Sequence, residues 1–221
     1  MTSGLASAGR FDDRREAGRR LAARLGHLAG QRPVVLGLPR GGIPVAAEVA
    51  AALGAPLDIV VVRKLGAPAD PELAVGAIAE GGSLVVDALL AEHAGVTGED
   101  LDRMLARERE ELRRRSRRLR GSRPPADLRG RTALVVDDGL ATGLTAVAAA
   151  RAARRRGAAR VVVAAPVGSA QAVALLGPAA DEVVCHTVPR GLDGVGRWYR
   201  DFSPVPEEEV EALLAGESAA A

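Results

Sequence analysis

Residues 137–145, DDGLATGLT, follow the apolar run ALVV (133–136) without a break. Gly139, Ala141 and Gly143 are small enough for a tight turn against a ligand, and Thr142 and Thr145 supply hydroxyls. Helix-forming residues come next, so the free N–H groups and positive dipole end of a helix face whatever the turn holds. For an anion that is worth about 0.3–2 kcal/mol. This half of the segment suits a phosphate monoester. It is not a Walker-type loop, because no Gly-Lys-Ser/Thr occurs. Asp137 and Asp138 cannot meet phosphate oxygens directly, since like charges repel, but they can accept hydrogen bonds from a vicinal diol. A ribose 5-phosphate group satisfies both halves. A plainer reading, an Asp capping the next helix, accounts for one acid and not for the nine-residue pattern.

Two other stretches carry polar groups to the ends of apolar runs. The turn PRGG (39–42) follows PVVLGL (33–38), and Arg63-Lys64 follow LDIVVV (57–62). The plain reading of Arg63-Lys64 is a strand-end pair whose stems lie along apolar surface.

Together these stretches resemble type I phosphoribosyltransferases. VVDDGLATGLTA is similar to that family's signature for 5-phosphoribosyl 1-diphosphate (PRPP), GLPRGGIPVA to its pyrophosphate loop, and VVVRK recurs in adenine-type members. The resemblance spans most of 33–167 in the expected order. It implies that Asp137 and Asp138 hold the ribose 2- and 3-hydroxyls. Gly139 would lead into a 5-phosphate loop of Ala141, Thr142, Gly143, Leu144 and Thr145. Arg40 and Gly41, with Gly42, would form the pyrophosphate loop, whose peptide is often cis in the family. Lys64, with Arg63, would meet the pyrophosphate. The implied cofactor is Mg2+, bridging substrate oxygens and touching Asp137 and Asp138 only through substrate or water, as this ion prefers. The implied reaction moves the ribose 5-phosphate group from PRPP to a nucleobase or related nitrogen, as in nucleotide salvage. It needs no protein nucleophile, and the sequence offers no Ser/His/Asp or Cys/His set.

Two positions depart from the hypoxanthine-guanine pattern: Ala141 stands where those enzymes carry Asp, and Leu144 where they carry Lys. A 6-oxopurine acceptor is therefore not implied. Glu72 is a weak candidate for assistance at the base, and an exposed loop charge is the better reading of it. Trp198, Tyr199 and Phe202 lie close together in GVGRWYRDF, which resembles the family's hood over the base. Trp198 and Tyr199 are candidates to stack on it, against the alternative that they only pack the hood onto the domain.

The elements that must position these groups alternate. Helical spacing is expected over 12–29, 43–53, 98–120, 144–156, 169–176 and 206–214. Strands are expected over 33–38, 57–62, 74–79, 83–86, 132–136, 159–167 and 182–186, with loops at 65–74, 121–130 and 189–206. Val-rich strands alternating with helices give an α/β fold, a central parallel sheet flanked by helices, with ligands beyond the C-terminal strand ends. The expectation is one domain over 1–221, with a small hood, a helical insertion at 98–123, and tails at 1–10 and 215–221.

The insertion carries ten arginines in 103–123. It reads as a solvated or subunit-contacting helix with pairs such as Glu110–Arg114 and Glu111–Arg115. An RNA-binding face lacks interleaved aromatics for stacking. With 221 residues, a net charge of +2 and a single cysteine, Cys185, the chain needs no polyanionic partner and has no disulfide framework or Cys-based zinc site. No apolar run reaches membrane-spanning length. A cytoplasmic protein, a homodimer as is usual in the family, is expected. The competing readings are a PRPP- or nucleotide-sensing regulator that binds RNA or a protein, and a hydrolase of ribose-phosphate compounds with water as acceptor.

Overall fold

A computed structural model describes residues 9–216. Of the expected tails, residues 1–8 and 217–221 lie outside the described residues. The chain runs α1 (Arg14–Ala22), a 3-10 turn (Gly26–Gln31), β1 (Val34–Gly37), α2 (Gly42–Leu53), β2 (Leu57–Ile59), β3 (Val62–Gly66), β4 (Ala74–Ala79), β5 (Ser83–Val86) and α3 (Ala88–His93). It continues with α4 (Gly98–Arg120), β6 (Thr132–Val136), α5 (Leu144–Arg155), β7 (Arg160–Val167), α6 (Ala170–Leu176), β8 (Glu182–Thr187), a 3-10 turn (Val195–Trp198) and α7 (Glu207–Ala215). No described helix is long and apolar enough to cross a membrane.

Strands β2-β1-β6-β7-β8 form an all-parallel central sheet. Alternate residues of each strand feed opposite cores. Val34, Leu36, Ala133, Val135, Val161 and Val163 face the α5–α6 side. Val35, Leu134, Val136, Val162 and Ala164 face α1 and α2. Both faces being buried, these strands read as unbroken apolar runs. The first helix is shorter than the expected 12–29: it starts at Asp13, whose carboxylate accepts the Glu16 N–H at 2.7 Å, and yields to the 3-10 turn after Ala22.

The run 57–62 is not one strand. Val60 still donates to Gly37 of the central sheet, while Glu80 donates to Val61, so the chain passes straight into a second sheet. That sheet, β3-β4-β5, is antiparallel, and Arg63 and Lys64 lie inside β3 rather than beyond a strand end. A Val-rich run carries no marker of such a crossing. The short helix α3 is an addition to the expected elements.

The arginine-rich helix α4 matches its expected bounds and starts on a capping box of Thr97 and Asp100. It is not simply solvated. Leu105, Leu112 and Leu119 make a buried stripe against the second sheet and α7. Most of its arginines face outward and pair within the helix. Glu111 takes Arg114 and Arg115, while Glu110 takes Arg113 instead of the expected Arg114. Arg118 reaches Glu207 of α7 instead, and Arg120 turns inward. It is 8% exposed and joins Asp58 of β2 at 2.5 Å, Glu80 at 3.0 Å and the Ile59 carbonyl at 2.7 Å. It thus ties α4 and the second sheet to the central one. Removing Arg120 takes the shared cation from two partly buried carboxylates that keep their other hydrogen bonds, and breaking a buried pair typically costs about 3–5 kcal/mol. Arg120→Ala is therefore expected to lower the denaturation midpoint sharply, and Arg120→Met with Asp58→Asn and Glu80→Gln to lower it far less. Chemical denaturation of the three proteins checks this.

Candidate active site

Strand order places the site. β1 leads outward to β2, and β6 leads the other way to β7, so the sheet's switch point lies between β1 and β6, where open α/β sheets leave a crevice. Gly37 pairs with Val136 at the C-terminal ends, and the loops 38–42 and 137–143 emerge side by side.

Each loop is shaped by the other. The Leu38 N–H donates to Val136 at 2.9 Å, the Gly42 N–H to Leu38 at 3.0 Å, and the Pro39–Arg40 peptide is cis. A Cβ on Gly41 would overlap Asp138 Oδ2, and one on Gly42 would lie 2.8 Å from the Val136 carbonyl. Only glycines allow the first loop to lie this close to the acids.

The two acids are half-buried and differently held. Asp137 Oδ1 accepts the Asp138 N–H at 2.9 Å, and Asp138 Oδ2 accepts Arg14 Nε at 2.8 Å. The second oxygen of each carboxylate has no partner among the described residues. Two acceptor oxygens on adjacent residues are thus left for a ligand. Burial, reinforced by the neighbouring Asp138 charge, pushes the Asp137 carboxyl well above the usual carboxylate range. Burial also raises Asp138, against the opposing pull of the Arg14 guanidinium.

The turn after the acids is anchored at Leu140, which is buried. Its N–H donates to Val167 and its carbonyl accepts the Ser169 N–H, both at 2.9 Å, while Ser169 Oγ donates to the Ala141 carbonyl at 2.7 Å. Gly143 caps α5 at φ 82°, with Ala172 where a side chain would go. The first turn of α5 therefore opens beside Thr142 and Thr145.

These groups share one cleft of about 890 Å³. Of the residues expected at the site, Gly41, Arg63 and Lys64 line it. Asp137, Asp138, Gly139, Ala141, Thr142, Gly143 and Thr145 line it as well. Arg40 is exposed and outside it, Gly42 is buried behind the acids, and Leu144 turns its side chain into the core. Glu72 is exposed and also outside.

Of the two readings of the aromatic cluster, the geometry favours packing of the hood. Tyr199 is 3% exposed, its ring 5.4 Å from that of Phe11, and its hydroxyl donates to the Asp138 carbonyl at 2.6 Å. Trp198 packs on the same cluster. Neither lines the cleft; both fasten the hood, and Tyr199 also supports the Asp138 backbone. Val195 is the hood residue that enters the cleft, its methyls where a Gly139 side chain would be.

Two contributions escape sequence reasoning. Arg14 gives no local signal. The other is α4, whose Asp100, Arg103, Met104, Arg107 and Glu108 form a wall of the cleft, with Glu108 accepting Arg63 Nε at 2.7 Å. Their spacing, i, i+3, i+4, i+7 and i+8, is one helical face and is readable as such.

The raised acid pair gives a stability test. Unfolded, Asp137 loses its proton near 3.8; folded, it keeps the proton to higher pH. Across that window the folded state binds more protons, so stability falls as pH rises. Asp137→Asn, neutral at every pH and able to accept the same Asp138 N–H, should melt above the parent at pH 8, with the gap closing toward pH 4. Melting curves across this range check it; a variant less stable than the parent at pH 8 contradicts it.

The comparisons with known proteins agree with this geometry. The sequence model for the family described as "Phosphoribosyl transferase domain" matches residues 10–189. Two proteins of Mycobacterium tuberculosis, from strains CDC 1551 / Oshkosh and ATCC 25618 / H37Rv, each bear the name "Putative phosphoribosyl transferase". Each is 49% identical over 204 residues, covering 92% of this chain and 46% of its own length. The chain thus spans about half the length of these relatives. The crystal structure of TT1426 from Thermus thermophilus is similar at 48% identity and a TM-score of 0.79, covering 95% of this chain and 100% of that one. From the switch-point cleft and these matches together, the chain belongs to the phosphoribosyl transferase domain family.

Proposed function

We propose that the chain transfers the ribose 5-phosphate group of PRPP to a nucleobase or related nitrogen nucleophile and releases pyrophosphate, acting as one domain. The observation that carries this reading is the pair of unpartnered oxygens on Asp137 and Asp138, set in one cleft with the first turn of α5. Carboxylates suit the ribose hydroxyls, and N–H groups with Thr142 and Thr145 suit the 5-phosphate. Lys64, with Pro39 and Gly41 of the loop beside Asp138, would meet the pyrophosphate, and Arg63, held by Glu108, lines the same cleft.

In this reading the bond from the anomeric carbon to pyrophosphate breaks as the acceptor nitrogen arrives. The transition state carries oxocarbenium character. The protein holds the sugar in line with the acceptor and offsets charge on the leaving group. The residues present fit Mg2+ held mainly by substrate phosphates and water: Asp137 and Asp138 would meet it only through substrate or water, their free oxygens going to the sugar. When bound, it would neutralise pyrophosphate charge. The acids serve the sugar, and Lys64 adds a compact cationic group for the leaving oxygens.

Calorimetric titration of PRPP with Mg2+, followed by pyrophosphate assays with a panel of free bases, tests the reading. PRPP binding and turnover with one base are expected. In Asp137→Asn/Asp138→Asn, replacing both acidic acceptors should weaken PRPP by about 100-fold or more with the fold intact. Retained affinity in the folded double variant would remove the site assignment. Binding without turnover on any base would favour the sensing reading over the transferase.

A further inference from the structure

Arg14 sits in the first turn of α1, 124 residues from the acid it touches. Its side chain is 11% exposed and held on three sides. Nε donates to Asp138 Oδ2 and Nη1 to the Ser203 carbonyl, each at 2.8 Å, and the guanidinium lies 3.9 Å over the Phe202 ring centroid. The segments around it are knitted together. The Phe11 N–H donates to Trp198 and the Arg200 N–H to Phe11, both at 2.8 Å, and the Asp201 N–H to Asp12 at 2.9 Å. Tyr199 from the same hood strand bonds the Asp138 carbonyl. Segments from both ends of the described chain thus converge on one residue.

Arg14 does not line the cleft, so it is not placed to bind a ligand itself. Its effect is on Asp138. Oδ2 is wedged between the guanidinium and Gly41, where not even a methyl group would fit. A carboxylate so pinned cannot rotate to exchange its oxygens, and Oδ1 is left as the one without a partner. We propose that Arg14 is a positioning residue that fixes which oxygen of Asp138 meets the sugar and so sets discrimination for a vicinal diol. This rests on the reading of the acid pair as a diol site.

The test compares the affinity of ribose 5-phosphate with its 2-deoxy and 3-deoxy analogues by calorimetry, in the parent, Arg14→Gln and Arg14→Lys, each also with Asp138→Asn. The parent should prefer ribose 5-phosphate. Arg14→Gln should lose about 10-fold or more of ribose 5-phosphate affinity while changing one deoxy analogue little. Arg14→Lys, which keeps a cationic donor, should restore part of the preference. With Asp138→Asn already present, Arg14→Gln should cost no further discrimination, because the two act through one contact. Phe202→Leu, which removes only the ring beneath the guanidinium, should lower melting and keep the preference. Equal weakening of all three ligands in Arg14→Gln, or an intact preference, would overturn the role of Arg14 and leave the phosphoribosyl reading standing. A parent that binds none of the three, nor PRPP, would overturn both.

Discussion

The structure is organised around holding two adjacent carboxylates at the end of a buried strand. Burial and mutual repulsion oppose their charge, and a chain that only needed to end β6 would not place two there. Around them stand the compensations: the backbone N–H of Asp138 on Asp137, the guanidinium of Arg14 on Asp138, the nearby ammonium of Lys64, and two glycines that let the neighbouring loop lie against them. Each leaves part of the charge unbalanced, and each acid keeps an oxygen without a partner among the described residues. A site poised in this way gains when a ligand donates hydrogen bonds to it.

The scaffold makes this arrangement rigid where rigidity matters. Leu140 is plugged into the core between β7 and α5, so the turn behind the acids cannot swing outward. Arg120, Asp58 and Glu80 lock the second sheet and α4 to the central sheet, and through them Lys64 and the α4 wall. The hood is fixed by Tyr199 and the Phe11–Arg200 ladder, so its contribution to the cleft is Val195 rather than an aromatic face. Among the described residues, no aromatic side chain lines the cleft; charged side chains of α4 occupy that wall.

What is legible in the sequence is local. The strand, the two acids, the small-residue turn and the helix start are contiguous between 133 and 146, and each is specified by residues in that window. The short strands 74–79 and 83–86 and the bounds of α4 are legible for the same reason. Arg14 is not, because its role exists only after segments far apart in sequence pair. The division of 57–66 between two sheets turns on which neighbours Val60 and Val61 bond, not on their own types. Sequence puts Tyr199 on the hood and leaves open whether it stacks on a base or packs the hood, since nothing local fixes where a ring on an irregular segment points. Lys64 carries a further signal: it is the only lysine in a chain that otherwise uses arginine, and it lies in the cleft.

In the proposed reading the acids hold the sugar and the start of α5 holds its phosphate. A crystal structure of the protein with PRPP tests this most directly. The 5-phosphate is expected at the first turn of α5 between Thr142 and Thr145, with ribose hydroxyls donating to the unpartnered oxygens of Asp137 and Asp138. A sugar phosphate bound along the α4 wall, with both acids turned from it, would contradict the account.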